Sequence, residues 1–392
     1  MSQRVSILGA TGSIGQSTLG VIALHPDDFE VFALTANVNV DALFELCLKW
    51  KPIYAVLKDA DAASLLSERL SHSDLDTQLL VGEDGLCQVA SDSRVDVVVA
   101  AIVGAAGLKS SFAAAESSKK ILLANKESLV MSGHLFMQAV RDNQATLLPI
   151  DSEHNAIFQS LPLTYECGQP TQSVSKILLT ASGGPFLHRD LATFDAITPE
   201  DACAHPNWTM GKKISVDSAT MMNKGLEFIE ACFLFACDAA HIEVIIHPQS
   251  IVHSMVAYVD GSVLAQMGQP DMSIPIAHAL AWPQRFDSGV ASLDFMKLAD
   301  LSFEAVDVER FPCLQLAIDA LSQGQSACIA LNAANEVAVD AFLRREIQFL
   351  DIATIVRHVL ANVDSPEPTC IDDIIRIDEL ARKSAQQALR AS

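Results

Sequence analysis

The sequence predicts an α/β fold that passes into a purely helical tail, and three observations carry that prediction. Through roughly the first 150 residues, short apolar runs (RVSIL, FEVFALTA, YAVLK, TQLLVG, VDVVVAAIV, KKILLA) alternate with helical stretches such as VDALFELCLKW. That alternation is the pattern of a doubly wound parallel sheet. The first apolar run passes directly into Gly9-Ala-Thr-Gly12-Ser-Ile-Gly15 and then the helix-like QSTLGVIALH. From Pro312 onward the segments are helical (LQLAIDALSQG, SACIALNAANEVAVDAFLRREI, LDIATIVRHVLANV, IDDIIRIDELARKSAQQALR), and short loops between them suggest an antiparallel bundle.

Length and composition bound the answer. A chain of 392 residues is long enough for two or three domains, and 50% apolar with 19% charged residues marks a globular protein. No uninterrupted apolar run approaches the roughly 18 to 20 residues of a membrane span. No signal peptide is expected, because Val5 already begins a strand that leads into the glycine turn. Nine cysteines without CxxC spacing suggest reduced thiols in a cytoplasmic protein. A net charge of −22 argues against nucleic acid or an anionic membrane as partner. It does not exclude a phosphate ligand, since exposed charges are screened beyond ~8 Å at physiological salt and a local cluster of lysines can dominate.

Taken in order, the glycine turn G-x-x-G-x-x-G lies at a strand-to-helix junction, where backbone can approach a pyrophosphate and a helix N-terminus supplies N–H groups. This makes residues 1–150 a Rossmann-like dinucleotide-binding domain. After the second strand, Asn37-Val38-Asn39 stands where the adenosine ribose is met. The absence of Asp or Glu there leans towards NADP, and the absence of Arg or Lys keeps the lean modest. Two later strand ends carry polar groups: Asn125-Lys126-Glu127 after ILLA, and Asp151-Ser152-Glu153-His154 after TLLPI. Ligands of open α/β sheets bind beyond the carboxyl ends of strands, so both fall where a site is expected. If extended, Asp151 and Glu153 point the same way and offer two carboxylates to one ion; as a helix start, the same residues are a cap and an early acid. KILLTASGGPF and the alternating EVIIHPQSIVHSMVAYVDGSVLAQMG define a central α+β domain, 151–285, followed by a linker of mixed composition at 286–310 and a helical domain at 311–392.

The densest stretch runs from His205 to Glu230, HPNWTMGKKISVDSATMMNKGLEFIE. Its first half lacks regular periodicity and reads as a loop with an aromatic at its tip. Ser and Asn groups beside Lys224 suit a phosphate, whereas Glu227 and Glu230, three apart and on one helix face, suit a hard cation. The segment from about Ala202 to Lys212 is expected to be a lid, because Trp208 and Met210 have no evident core to enter.

GATGSIG, AAIVGAAGL, LLANKESLV, DSEHNAIFQ, ASGGPF, HPNWTMGKKISVDSATMMNKGLE, HPQSIVHSMV and NAANEVAV together resemble one family, 1-deoxy-D-xylulose 5-phosphate reductoisomerase, in colinear order over essentially the whole chain. The resemblance implies conversion of 1-deoxy-D-xylulose 5-phosphate to 2-C-methyl-D-erythritol 4-phosphate, by retro-aldol cleavage and re-addition, then reduction by NADPH. It implies that Asp151, Glu153 and Glu227 ligate a Mg²⁺ or Mn²⁺ ion, with Glu230 close by, and that Lys126 lies between nicotinamide and substrate. Ser182, His205, Ser218, Asn223 and Lys224 match the phosphate pocket, Ser152 a contact to substrate hydroxyls, and Trp208 and Met210 the lid. Thr11, Gly12, Ser13, Ile14 and Gly15 match the pyrophosphate loop. Asn37, Asn39, Asn125, Glu127, Met210 and Gly211 also fall on the cofactor side. His253 stays open between a structural role and the site. Val38 departs from relatives that carry a basic residue there to meet the 2′-phosphate. A homodimer is expected from the family.

Two other readings compete. A semialdehyde or homoserine-type dehydrogenase shares the glycine loop, but the former needs a thiolate in an acyl-transfer motif, and no cysteine sits in one. A redox-sensing dinucleotide module has no need of separated carboxylates plus a phosphate pocket.

Overall fold

Val5, Ile7 and Leu8 have essentially no solvent exposure, which a strand achieves only with neighbours on both edges and helices on both faces. The computed structural model, which describes residues 2–208, 210–298 and 300–391, places that strand at the middle of a sheet. Strands β1 (Gln3–Leu8), β2 (Phe29–Ala36), β3 (Tyr54–Leu57), β4 (Gln78–Val81), β5 (Val97–Ala100), β6 (Lys120–Leu123) and β7 (Thr146–Pro149) are all parallel, in the order β4-β3-β2-β1-β5-β6-β7. Helices α1 (Ser13–Leu24), α2 (Val40–Trp50), α3 (Ala60–Ser71), α4 (Gly82–Ser91), α5 (Leu108–Glu116), α6 (Lys126–Asp142) and α7 (Ser152–Ser160) follow the strands in turn. The chain builds outward from β1 to β4, then returns to β5 on the other side of β1. The order therefore reverses between β1 and β5, and the glycine turn leaves β1 at that point.

The described residues divide into two compact units. The first takes in the chain up to 128, residues 136–155 and residues 271–291; the second takes in 129–135, 156–270 and the chain from 292 on.

The second unit is built on a mixed sheet. Its elements are β8 (Val174–Ala181), α8 (Pro199–Cys203), α9 (Lys212–Ala219), α10 (Met222–Leu234), β9 (Ile242–Ile246), β10 (Val252–Tyr258) and β11 (Val263–Met267). Sequence order then passes through α11 (Ser273–Ala281) of the first unit before β12 (Glu304–Ala305), α12 (Pro312–Gln323), α13 (Gln325–Leu343), α14 (Asp351–Asn362) and α15 (Ile371–Ala391). The sheet order is β11-β10-β8-β9-β12, with only β8 and β9 parallel. Leu226 and Ile229 of α10 share one core with Ala317, Leu331, Val356 and Ala381 of the four C-terminal helices.

Several sequence expectations meet a different local structure. Residues 271–291, which the sequence groups with the central segment up to 285, lie in the first unit, where Lys120 Nζ donates to the Leu280 carbonyl at 2.7 Å near the end of α11. Burial at that spot pushes the Lys120 ammonium down to about 8. Within 286–310, read as a linker, Glu304 and Ala305 pair with β9. Asparagines and acids interrupt the apolar run of α13, yet this helix, 19 residues long with a mean hydropathy of 1.2, is long and apolar enough to cross a membrane. Of its apolar stretch 72% is buried, which is the setting of a core helix.

Candidate active site

In the first unit the glycines of the turn divide by what surrounds them. Gly9 has φ +84°, and a Cβ there would come within 2.7 Å of the Ala101 carbonyl. At Gly15 a Cβ would stand 2.5 Å from both Ala10 Cα and the Gly9 carbonyl, so helix and strand can close only over a bare backbone. Gly12, the N-cap of α1, has no such neighbour; its nearest atom is the Gly9 carbonyl at 3.4 Å. Protein packing does not demand glycine at 12, and the open space above it is a cradle that a Cβ would fill. Thr11, Ser13 and Ile14 surround it, and no side chain caps or acidifies the first turn of α1, leaving its N–H groups for an anion.

Asn37 and Val38 follow β2 on the surface, with Val38 58% exposed. Asn39 Oδ1 accepts from Ala42 N–H at 3.1 Å and caps α2. Asn125 is buried and occupied at both ends of its amide. Its Oδ1 caps α6 by accepting from Ser128 N–H at 2.9 Å, while Nδ2 donates to the carbonyls of Ile102 and Gly104. It shapes the loop after β5. Glu127 is buried beside it, and Lys126, the first residue of α6, places Nζ 2.5 Å from Asp151 Oδ2.

Asp151 and Glu153 are not extended. The Asp151 carbonyl accepts from Asn155 N–H at 2.8 Å, so the chain turns into α7 at once, and the acids stand at a helix N-terminus where the dipole favours negative charge. Ser152 Oγ donates to Glu153 Oε2 at 2.6 Å. Asn155, which sequence reasoning did not single out, holds this turn in place. Its Nδ2 donates to the Pro149 carbonyl at 2.9 Å and to His278 Nδ1 at 3.2 Å. Burial first, then the positive charges of Arg285 and Lys120, pushes His278 down to about 4, so the ring is neutral and can accept at Nδ1.

In the second unit Ser182 follows β8, and the next two residues turn through φ +81° and +67°. A Cβ at Gly184 would meet the Ser218 carbonyl at 2.7 Å, so this turn lies directly on the end of α9. His205 Nδ1 accepts from the N–H groups of Asn207 and Trp208 at 3.2 and 3.0 Å. That leaves the ring proton on Nε2, which donates to Ser182 Oγ at 2.9 Å. Ser182 Oγ also accepts from Gly184 N–H at 3.2 Å, so its own proton is directed elsewhere. Asn207 Nδ2 donates to the Pro248 carbonyl at 2.6 Å and to Ser250 Oγ at 3.1 Å, and the Trp208 ring lies 6.0 Å from that of His253. Thr209 lies outside the described residues. Met210 is partly buried and Gly211, exposed, is the N-cap of α9. The irregular stretch therefore ends at Gly211: residues 212–217, read from sequence as loop, are helical, with Ser215, Val216 and Asp217 turned inward.

Ser218 precedes the turn into α10, whose first residues include Asn223 and Lys224. Asn223 Nδ2 donates to Glu227 Oε1 and Lys224 Nζ to Glu227 Oε2. Lys224, Glu227 and Glu230 are all buried and Asn223 is partly so, and the first half of α10 thus holds a cation and two carboxylates out of water with an amide beside them.

A doubly wound parallel sheet with a glycine turn at its switch point, followed by a domain presenting buried acids beside serine, histidine and lysine, is the architecture of a dinucleotide-dependent oxidoreductase. Family profiles described as 1-deoxy-D-xylulose 5-phosphate reductoisomerase match residues 5–133, its C-terminal domain 147–235, and a DXP reductoisomerase C-terminal domain 267–384. The chain belongs to the 1-deoxy-D-xylulose 5-phosphate reductoisomerase family. A relative of that name from Stutzerimonas stutzeri is 58% identical over 386 residues, 98% of either chain. Another, from Nitrosomonas eutropha, is 55% identical over 99% of this chain and 94% of its own. A crystal structure of DOX-P reductoisomerase in complex with NADPH, fosmidomycin and magnesium superposes with a TM-score of 0.95 at 48% identity, covering 99% of this chain and 98% of that one. The Zymomonas mobilis enzyme in complex with NADPH gives 0.92 at 45% identity over the whole of both chains.

Proposed function

We propose that this protein converts 1-deoxy-D-xylulose 5-phosphate to 2-C-methyl-D-erythritol 4-phosphate, using NADPH and a divalent cation. The observation that carries the reading is membership of the family over the full length, with an oxygen-only acid set and a Ser/Asn/Lys pocket kept at the positions the resemblance names.

NADPH supplies the hydride. Thr11, Gly12, Ser13, Ile14 and Gly15 would hold its pyrophosphate, a role supported by the open cradle at Gly12 and the uncapped N–H groups of α1. Asn37 and Asn39 would stand at the ribose, Lys126 and Glu127 towards the nicotinamide, and Met210 and Gly211 on the cofactor side of the loop. Asn125 would act through the 102–104 backbone that it ties down.

Mg²⁺ or Mn²⁺ supplies a Lewis acid for the ketose oxygens. Asp151, Glu153 and Glu227 would be its protein ligands, with Glu230 nearby. Hard oxygen donors without a thiolate or imidazole among them fit either ion. Ser152, in contact with Glu153, would turn to the substrate hydroxyls. Lys126, paired with Asp151, would lie between nicotinamide and substrate. Ser218, Asn223 and Lys224 would bind the phosphate. Ser182 joins them because its hydroxyl, already accepting from His205 and Gly184, can only donate onward. Acyl-transfer chemistry finds no support at Cys47, Cys313 or Cys328, whose thiols burial pushes up to about 12.

The same reading includes closure of 202–212 over bound substrate; an unchanged Trp208 fluorescence on titration with a phosphonate analogue would remove it. It also includes a functional division along the chain into 1–150, 151–285, 286–310 and 311–392, with 271–291 packed into the first compact unit, and a cytoplasmic homodimer. Exposed Val259, Val263 and Leu264 on or beside β11, the outermost strand of its sheet among the described residues, support self-association. Sedimentation of a monomer at micromolar concentration would contradict it. The direct test of function is NADPH oxidation by the purified protein. It should require both 1-deoxy-D-xylulose 5-phosphate and a divalent cation, and oxidation without either would refute the reading.

A further inference from the structure

The most deeply buried charge of the second unit that no step above uses is Asp217, at 1% exposure in the last turn of α9. A carboxylate taken out of water is tolerated only with partners of good geometry. It has two, Lys213 Nζ at 2.8 Å from Oδ2 and Asn335 Nδ2 at 2.8 Å from Oδ1. Lys213 is one turn back on the same helix. Asn335 is 118 positions away in α13, is 0% exposed, and stands in the NAANEVAV segment. Its amide orientation is fixed by charge: the flipped alternative would set an oxygen against a carboxylate that only accepts.

What Asp217 anchors is the turn that carries the anion pocket. The Asp217 carbonyl accepts from Thr220 Oγ1 at 3.2 Å, and Thr220 Oγ1 in turn accepts from Met222 N–H at 3.3 Å. Met221 between them is left-handed, φ +60°, a conformation the turn must enforce from outside. Ser218 lies one residue after Asp217, and Asn223 and Lys224 lie just past the turn. On the other side, the bare backbone of Gly184 sits against the Ser218 carbonyl. An eight-residue helix such as α9 has little stability of its own, so its position is set by what it is fastened to. A negative charge one residue from an anion pocket also weakens that pocket unless it is neutralised, and Lys213 does so.

We propose that Asn335 is a positioning residue for phosphate recognition, acting through Asp217 to fix the Ser218–Lys224 turn. The inference rests on the phosphate reading of that pocket. It places a determinant of substrate affinity in the C-terminal helices, where no residue touches the substrate in the reading given above.

The test is Asn335→Leu, which keeps the volume and removes the donor, with Asn335→Ala as the second variant should the first not fold. KM for the sugar phosphate and Kd for a phosphonate analogue should both rise about tenfold, which is the scale of one lost hydrogen bond to a charged group. kcat and Kd for NADPH should change less than about threefold, well under that tenfold step. Asn335→Gln, which retains the donor, should recover part of the affinity. A uniform weakening of NADPH and phosphonate binding, or folded variants with wild-type phosphonate Kd, would overturn the proposal. Ser218→Ala and Lys224→Ala serve as the reference. If they too leave phosphonate binding unchanged, the phosphate reading itself fails; if they weaken it and the Asn335 variants do not, only the positioning role fails.

Discussion

Three glycines of the first helix region make the dinucleotide reading quantitative. At Gly15 an added methyl would meet two backbone atoms at 2.5 Å, where ordinary contact begins at 3.4 Å, so α1 must withdraw by nearly an ångström. Overpacking of this kind costs ~1–3 kcal/mol, and the better helix propensity of alanine returns ~1 kcal/mol, so Gly15→Ala should lose about 0–2 kcal/mol of stability. The larger effect is on the ligand. Moving the N-terminus of α1 loosens hydrogen bonds to a charged pyrophosphate, each ~1.5–3 kcal/mol, so Kd for NADPH should rise about ten- to hundredfold. Gly12→Ala differs, since its backbone is extended at φ −80° and ψ 173° and its nearest atom is at 3.4 Å. It should fold as the wild type and still bind NADPH more weakly, because the methyl fills the cradle. Gly20→Ala is the control: nothing lies within 4 Å, so it should stabilise the helix by ~0.5–1 kcal/mol and leave the cofactor alone. Fluorescence titration with NADPH and thermal denaturation of the three variants read both quantities. Wild-type NADPH affinity in Gly12→Ala would refute the placement of the pyrophosphate, and in Gly15→Ala it would refute the packing argument.

Three more outcomes are expected. Glu227→Gln keeps the shape but halves what the carboxylate offers a cation, so turnover should fall at least roughly a hundredfold with the fold intact; near-normal turnover at saturating Mg²⁺ would remove Glu227 from the metal site. Val38, 58% exposed after β2, offers no charge to a 2′-phosphate, so Val38→Arg should raise preference for NADPH over NADH about tenfold, and unchanged selectivity would show that position 38 does not face that phosphate. His278 is held neutral, with its pKa down at about 4 against an ordinary 6.5, so the unfolded chain binds the extra proton first as pH falls. Its contribution is fully present above about pH 6.5 and is lost on the way down to about 4, by up to ~3 kcal/mol. Denaturation at about pH 7 and about pH 5 should therefore show a larger acid loss for wild type than for His278→Gln; equal losses would show that His278 does not govern it.

The parts of this fold that were legible from sequence are those written in local pattern. Strand runs such as VVVA and KILL, the helix VDALFELCLKW and the glycine turn are each specified by neighbours within a few residues. Gly9 and Gly15 announced a tight turn because no other residue tolerates the contacts they make. Local reasoning went astray at Lys212–Ala219, whose polar residues mask helical periodicity because Ser215 and Asp217 turn inward to tertiary partners. At Asp151 two local readings competed, and a buried Asn155 on the Pro149 carbonyl and His278 favours the helix start. Asn125 stands where a cofactor contact is expected, and its bonds to the Ile102 and Gly104 carbonyls, which join it to distant backbone, could not be read from its neighbours. Asn335 and Asp217 both stood in quoted motifs, but a pairing across 118 positions leaves no trace in either. Residue types that do chemistry were visible; the groups that aim them were not.

The central claim is that carbon–carbon rearrangement precedes hydride reduction at this site. Carbon-13 NMR of the product formed from labelled 1-deoxy-D-xylulose 5-phosphate, NADPH and Mg²⁺ tests it most directly. The account predicts a single branched product, 2-C-methyl-D-erythritol 4-phosphate, formed in step with NADPH consumed and absent when the metal is chelated. A straight-chain reduced pentitol phosphate, or branched product that forms equally well without the cation, would contradict it.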